Sequence, residues 1–510
     1  MFVFERSDRQ TERYVGGPVY KERLKKLWAI LVLAVILLPT QLAYSAGTPD
    51  NRDQNVLRAT LDNGLKVVIV RNPLAPVVTT VVNYLAGSND APDGFPGMAH
   101  AQEHMMFRGN PGLSAGQLAD IAAAMGGDFN ADTQETVTQY EFTVPSEDLE
   151  LALHIESIRM RGVLDSGELW NEERGAIEQE VAQDLSNPDY IFYTKIMETL
   201  FKGTPYSHDA LGTKPSFDKT TGEMLKKFYD TWYAPNNAIL VIVGDVEPGT
   251  ALAKVRKLFG DIPSKRLLER PAIKLGPVKP ERVDLKTDHP FGIVSIVNRM
   301  PGYDSTDYAA AVVLSDVLSS KRGSLYSLVP EGKALDTDFG LVSHPGAGLG
   351  YVIALFPKGG DSAALLGEVK NIISDDIRIG FPADLVEAAK RRELTDLELK
   401  KNSVSELAMD WSRALAVEGR RSPEEDVMAI QHVTVADVNR VAEKYLDFDD
   451  SVEAILTPES SGQPVSSQSF GGKESLTARN PTPVVLPEWA ESALKRLDIP
   501  KSTIHPALFT

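Results

Sequence analysis

Runs of apolar residues at Leu57–Leu61, Leu65–Val70 and Val77–Ala86 predict three β-strands. Asp62-Asn63-Gly64 supplies the turn between the first two, and the three together read as a strand meander. Gly97–Phe107 contains no Pro and reads as helix. A strand over Thr136–Val144 follows, then more helix through Glu198. Within that stretch, Glu168–Leu185 carries Leu169, Ile177, Val181 and Leu185 among strong helix formers, and Asn187-Pro188 stops it. Tyr233-Ala234-Pro235-Asn236-Asn237-Ala238 is a turn leading into a continuous apolar run, Ile239–Val243, which reads as a buried strand closed by Gly244-Asp245.

The first half of the pattern closes near Pro263, and residues 266–280, with Pro271, Pro277 and Pro280, read as a linker. Beyond it the pattern repeats. Thr434–Tyr445 resembles Thr221–Tyr233, and Ile293–Val297 corresponds to Val78–Val82. The repeat of the first helix, Tyr308–Leu318, has neither His nor Glu, so the second half is expected to be chemically silent. The expectation is an α+β protein with an N-terminal lobe at 52–265, a linker at 266–280 and a C-terminal lobe at 281–458. The tail 459–510 is rich in Ser, Gly and Pro from Glu459 to Pro483 and reads as flexible, with Trp489–Leu497 either a short docking helix or part of a disordered end.

Composition alters this picture in three ways. Apolar residues make up 43% and charged residues 24% of the 510, ordinary values for a globular protein with room for more than one domain. The net charge is −18, and residues 1–45 are themselves basic, so the remainder is more acidic still; no nucleic-acid partner is expected. There is no Cys, which excludes disulfides and thiol chemistry and fits a bacterial periplasm. The N-terminus fits export: a basic flank at Lys21–Lys26, an apolar run at Leu27–Leu38, Pro39, and small residues for cleavage after Ser45. Residues 1–45 therefore read as a signal peptide. An uncleaved anchor is the alternative, since Leu27–Ala46 carries no charge over 20 residues, and only in that form would the protein contact a membrane.

The candidate chemistry centres on His100-Ala101-Gln102-Glu103-His104, the inverse order of the commoner H-E-x-x-H zinc motif. Two His at i, i+4 share a helix face and can hold one zinc ion. Glu103 is placed to hold a water on that metal and act as general base. A catalytic zinc needs a third protein ligand. Glu172, Glu173, Glu178 and Glu180 lie on the later helix; Glu173 and Glu180, seven apart, share a face, but the residues alone do not choose among the four. His154, His208, His289, His344, His432 and His505 lack ligand spacing and take structural or surface roles by default.

Gly97–Gly109 resembles the signature of the inverzincin metallopeptidases, the family of pitrilysin, insulin-degrading enzyme and mitochondrial processing peptidase. The resemblance extends over most of residues 52–458. It implies a duplicated α+β clamshell in which one zinc lobe faces an inert one. It also implies that His100, His104 and Glu180 bind one zinc ion per chain, that Glu103 is the base, and that Glu173 orients a ligand His. Gly126–Thr133 resembles the family's cleft strand, where main-chain groups near Asn130 and Ala131 would bind an extended peptide; without the resemblance it reads as a turn before a strand.

Active single-chain relatives often carry an Arg and a Tyr seven residues apart in the second lobe. The matching stretch here, Leu325–Thr337, places Pro330 and Thr337 at those positions, with Lys333 or Tyr351 as nearby substitutes. The resemblance thus implies a periplasmic zinc endopeptidase acting on peptides or unfolded polypeptide, whose partner is a homologous subunit without zinc ligands that supplies the Arg/Tyr pair. The alternative is a non-catalytic structural or assembly subunit of the same fold.

Overall fold

A computed structural model describes residues 55–459 and 484–495. The export segment of residues 1–45, with its cleavage position after Ser45, lies outside the described residues, as do most of the tail and Leu497. Among the described residues no helix is long and apolar enough to cross a membrane.

The first lobe is built on a six-stranded sheet. A hairpin joins β1 (Val56–Thr60) to β2 (Lys66–Arg71) through Asp62–Gly64. Gly64 takes φ +89 there, and the Asn63 amide donates to the carbonyls of Phe259 (2.8 Å) and Ile262 (2.9 Å), pinning the turn to the end of the lobe. The chain continues through β3 (Val77–Tyr84), α1 (Met98–Met105), α2 (Ala115–Met125), β4 (Asp128–Thr133), β5 (Thr138–Pro145) and α3 (Leu149–Arg161). Then come α4 (Gly167–Asp184), α5 (Pro188–Leu200), α6 (Lys214–Phe217), α7 (Gly222–Trp232), β6 (Ala238–Gly244) and α8 (Pro248–Phe259).

The strand order is β1-β2-β6-β3-β5-β4, with β2 and β6 parallel and the other pairs antiparallel. The meander expectation is therefore corrected: β6 lies between β2 and β3. Every residue of β6 is buried, so its apolar run needs a neighbour on both edges and cover on both faces, and the centre of the sheet supplies them.

Residues 263–280 contain no helix or strand. After them come β7 (Glu281–Thr287), β8 (Phe291–Met300), α9 (Tyr308–Leu318), β9 (Asp336–His344) and β10 (Ala347–Pro357). The lobe ends with α10 (Ser362–Ile379), α11 (Ala383–Lys400), α12 (Val404–Ser412), α13 (Glu424–His432), α14 (Val435–Tyr445) and β11 (Ser451–Pro458). Its strand order is β7-β11-β8-β10-β9, with β7 and β11 parallel. This repeats β2-β6-β3-β5-β4 strand for strand and direction for direction. The helices repeat as well: Thr221 caps α7 and Thr434 caps α14, and each helix leads into a central strand. The protein is α+β, with two duplicated lobes.

The lobes exchange helices. α5, from the first, packs on β7, β8 and β11 of the second. α12, from the second, lays Val404, Ala408 and Trp411 on Val68, Val70, Val81, Ile239, Val241 and Val243 of the first. A buried polar cluster locks this second docking: the Gln139 amide donates to Asn83 Oδ1 (2.7 Å) and Ser412 Oγ (2.6 Å). At the other crossing, the Tyr206 hydroxyl donates to the carbonyl of Pro345 (2.8 Å), His344 stacks on Tyr206, and Arg299 holds the carbonyl of Leu200. In the tail, α15 (Glu488–Leu494) docks on α2, with Trp489 against His154 at 4.1 Å and the Gln117 amide donating to the carbonyl of Val485 (2.8 Å).

Candidate metal centre

α1 carries His100, Glu103 and His104, and all eight of its residues are buried. Its entry is fixed by glycine. Gly97 (φ +86) and Gly212 (φ +83) lie against each other, and a Cβ on Gly97 would come 2.7 Å from the Gly212 Cα. At its far end Phe107 lies 4.4 Å from the guanidinium of Arg159, whose other face covers Tyr140 at 4.3 Å. Arg159 is fully buried and paired with buried Glu156 at 2.8 Å, so the motif helix rests on a closed ionic and aromatic floor.

α4 crosses near α1 and presents Glu173 and Glu180. Nε2 of His100 and Nε2 of His104 are 3.2 Å apart, and Oε2 of Glu180 is 3.7 Å and 3.5 Å from them. Two imidazoles on a tetrahedral zinc at about 2.1 Å hold their nitrogens about 3.4 Å apart, so this donor set has the size and chemistry of a zinc site. Among the described residues it is the one cluster of metal-ligating side chains. The remaining ring nitrogens face acceptors: His104 Nδ1 is 2.9 Å from Glu173 Oε1, and His100 Nδ1 is 3.1 Å from the carbonyl of Leu211. Both contacts leave Nε2 as the lone-pair nitrogen.

Burial pushes the Glu173 carboxyl up, but the bonds from His104 and Arg108 outweigh it and hold the group below its ordinary range. Glu178 faces elsewhere, paired with Lys214 at 2.6 Å and Arg174 at 3.6 Å, and Glu172 is exposed.

Asn130 and Ala131 lie on β4, which among the described residues is an edge strand paired only with β5. Glu103 is buried beside this strand and accepts a hydrogen bond from the Thr133 hydroxyl. The sequence reading missed Thr133, Arg108 and the Leu211 carbonyl. Arg108 is four residues beyond His104 and was open to helical spacing; Leu211 carries no side-chain signal at all.

In the second lobe, Thr337 is buried on β9 and Pro330 follows a short helical turn. Lys333 is engaged by Glu331 (3.1 Å) and Glu368 (3.3 Å) within its own lobe. Tyr351 lies across Gly340 of the adjacent strand, where a Cβ would meet its ring at 2.0 Å.

Residues 66–214 match the family model described as insulinase (peptidase family M16), and residues 219–393 match that of the peptidase M16 inactive domain. An uncharacterized zinc protease of Streptomyces coelicolor is 27% identical over 293 residues, 55% of this chain and 62% of that protein, so the match spans less than two thirds of that relative. The zinc protease PqqE of Helicobacter pylori is 26% identical over 68% of this chain and 78% of its own length. A probable mitochondrial-processing peptidase subunit beta of Arabidopsis thaliana is 25% identical over 78% and 77%. Among solved structures, a protease from Helicobacter pylori superposes with a TM-score of 0.73 at 22% identity, covering 79% of this chain and 99% of that one. The first half of the periplasmic protease PqqL from Escherichia coli gives 0.69 at 19% identity, covering 80% and 92%. The two matches, both to one family, meet within the first lobe and run on into the second, and the chain belongs to peptidase family M16, the inverzincin metallopeptidases.

Proposed function

We propose that this protein is a zinc-dependent endopeptidase that hydrolyses peptides or unfolded protein segments in the periplasm, as the catalytic subunit of a heterodimer. The observation that carries the reading is the convergence of His100, His104 and Glu180 with Glu103 alongside. His100, His104 and Glu180 would hold a zinc ion, which would supply Lewis acidity toward a water and the scissile carbonyl. Glu103 takes the proton from the attacking water and hands it to the leaving amine. Glu173 and Leu211 orient the two imidazoles from their outer nitrogens. The free edge of β4 at Asn130 and Ala131 binds substrate as an added strand, which recognises backbone and leaves side-chain choice broad.

The apolar run Leu27–Leu38 behind a basic flank supports export. Pro330 has no side-chain donor, and Thr337 is short and buried, which favours a partner that brings the missing donors to the developing oxyanion. The test is elemental analysis of the purified chain together with cleavage of an unstructured peptide, with and without a homologous subunit carrying the Arg/Tyr pair. One zinc per chain, with weak cleavage raised by the partner, is expected. A chain without zinc and without cleavage in either assay would support the structural-subunit alternative. Full cleavage by the isolated chain, unchanged by the partner, would remove the heterodimer.

A further inference from the structure

We infer that Thr133 is a positioning residue for Glu103, fixing the base and tying it to the strand along which substrate lies; this rests on the zinc-peptidase reading above. Thr133 is the last residue of β4. By strand alternation it shares a face with Phe129 and Ala131, both packed into the core of the first lobe beside α1. From that face its hydroxyl donates to Oε2 of Glu103. The hydroxyl is the donor and the carboxylate oxygen the acceptor. The neighbouring Thr138 hydroxyl is committed to the carbonyl of Ala86 (2.9 Å) and lies 3.4 Å from the Thr133 oxygen, so the Thr133 proton has one strong acceptor.

The donor is itself held firmly. Thr133 pairs with Thr138 in the β4–β5 ladder, and the Gln134 N–H closes the turn on the carbonyl of Val137 (2.8 Å). The turn is then pinned from outside by the N–H of Ser88 to Gln134 (3.0 Å) and of Asn89 to Glu135 (2.9 Å). One carboxylate oxygen of Glu103 is thus fixed by a rigid hairpin tip, which sets the orientation in which the carboxylate receives and passes on the proton. General-base catalysis depends on holding the carboxylate within hydrogen-bond reach of the water, and a side chain without such an anchor loses the geometry before it loses the fold. Thr133 also lies three positions beyond Asn130 on the same edge strand, so a peptide added to β4 braces the strand that holds the base.

The test compares Thr133→Val, which keeps the shape and removes the donor, with Thr133→Ser, which keeps the donor. Loss of one hydrogen bond to a charged group predicts that kcat of the Val protein falls roughly 10-fold or more, with KM little changed. The Ser protein recovers most of the loss. A second readout needs no turnover: in crystal structures of the metal-free variants, Glu103 holds one position in the Ser protein and several in the Val protein. If the Val protein does not fold, Thr133→Ala, which also lacks the donor, must show the same loss. Wild-type kcat in the Val or Ala protein, a Ser protein as impaired as Val, or a single Glu103 position in the Val protein overturns the inference. Glu103→Gln run alongside separates the two levels: a fully active Glu103→Gln protein sinks the zinc-peptidase reading, and Thr133 with it. An inactive Glu103→Gln beside a normal Thr133→Val sinks the Thr133 role alone.

Discussion

Glu178 and Glu180 are two residues apart on one helix and live in opposite surroundings. Glu180 faces two imidazole nitrogens, whereas Glu178 is neutralised by Lys214 and Arg174. Glu180→Gln is therefore predicted to abolish zinc retention on gel filtration, and Glu178→Gln to leave it intact. Glu173→Gln keeps the three cluster side chains but exchanges the charged acceptor on His104 Nδ1 for a neutral amide and loses the ion pair with Arg108, and its zinc affinity is expected to fall roughly 10-fold or more. Competition titration against a chelator measures all three; retention by Glu180→Gln with loss by Glu178→Gln would reverse the ligand assignment. At this scale the sequence was partly legible. Four-residue helical spacing dictates that His100 and His104 share a face. The same spacing puts Glu173 and Glu180 together on α4, but says nothing of how close α4 comes to α1. Thr133 is legible only once β4 and its alternation are known.

Elements with strong apolar periodicity were read nearly in place: Tyr308–Leu318 was expected as helix and is α9, and Glu168–Leu185 became α4, Gly167–Asp184. The order of strands was not legible, because a wholly apolar strand such as β6 announces burial without naming its neighbours. Nor was the helix exchange, since the apolar stripe of α12 would satisfy either lobe. Its consequence for the site is direct. The chain leaves α4, docks α5 on the other lobe, and returns through Tyr206 to Leu211, whose carbonyl orients His100. In the second lobe the two repeat helices α9 and α14 are joined by Asp307, which accepts from Lys444 (2.9 Å), Arg440 (2.7 Å) and Tyr445 (2.9 Å). Lys444 first, with Arg440 and Tyr445, pulls its carboxyl down to about 2. Because the folded value lies below the unfolded one of about 3.9, the bond network contributes fully above that pH and is lost as pH falls through about 2. Asp307→Asn should therefore lower stability by about 1 kcal/mol at neutral pH, with the gap to wild type closing below about pH 4. Denaturant titrations at pH 7 and pH 3 check this; an equal gap at both would contradict it.

The described residues form a duplication in which two helices of the first lobe bring His100, His104 and Glu180 together, and the second lobe shows no such cluster among the described residues. The repeat was visible in the sequence through Thr221–Tyr233 and Thr434–Tyr445, since a capped helix running into a central strand leaves a pattern of both cap and apolar run. On the proposed function the lobes divide by chemistry rather than by fold: the first brings together His100, His104, Glu103 and Glu180, while the second has Pro330 and Thr337 at the positions expected for the Arg/Tyr pair. The central claim is that the first lobe hydrolyses peptides with Glu103 as the base. The most direct measurement is cleavage of an unstructured peptide by zinc-loaded wild type and zinc-loaded Glu103→Gln, each with the complementing subunit. The variant should bind the same zinc and lose turnover by about 10²- to 10⁴-fold, the range for removing a general base. Near-normal turnover by a zinc-loaded Glu103→Gln protein would contradict the account.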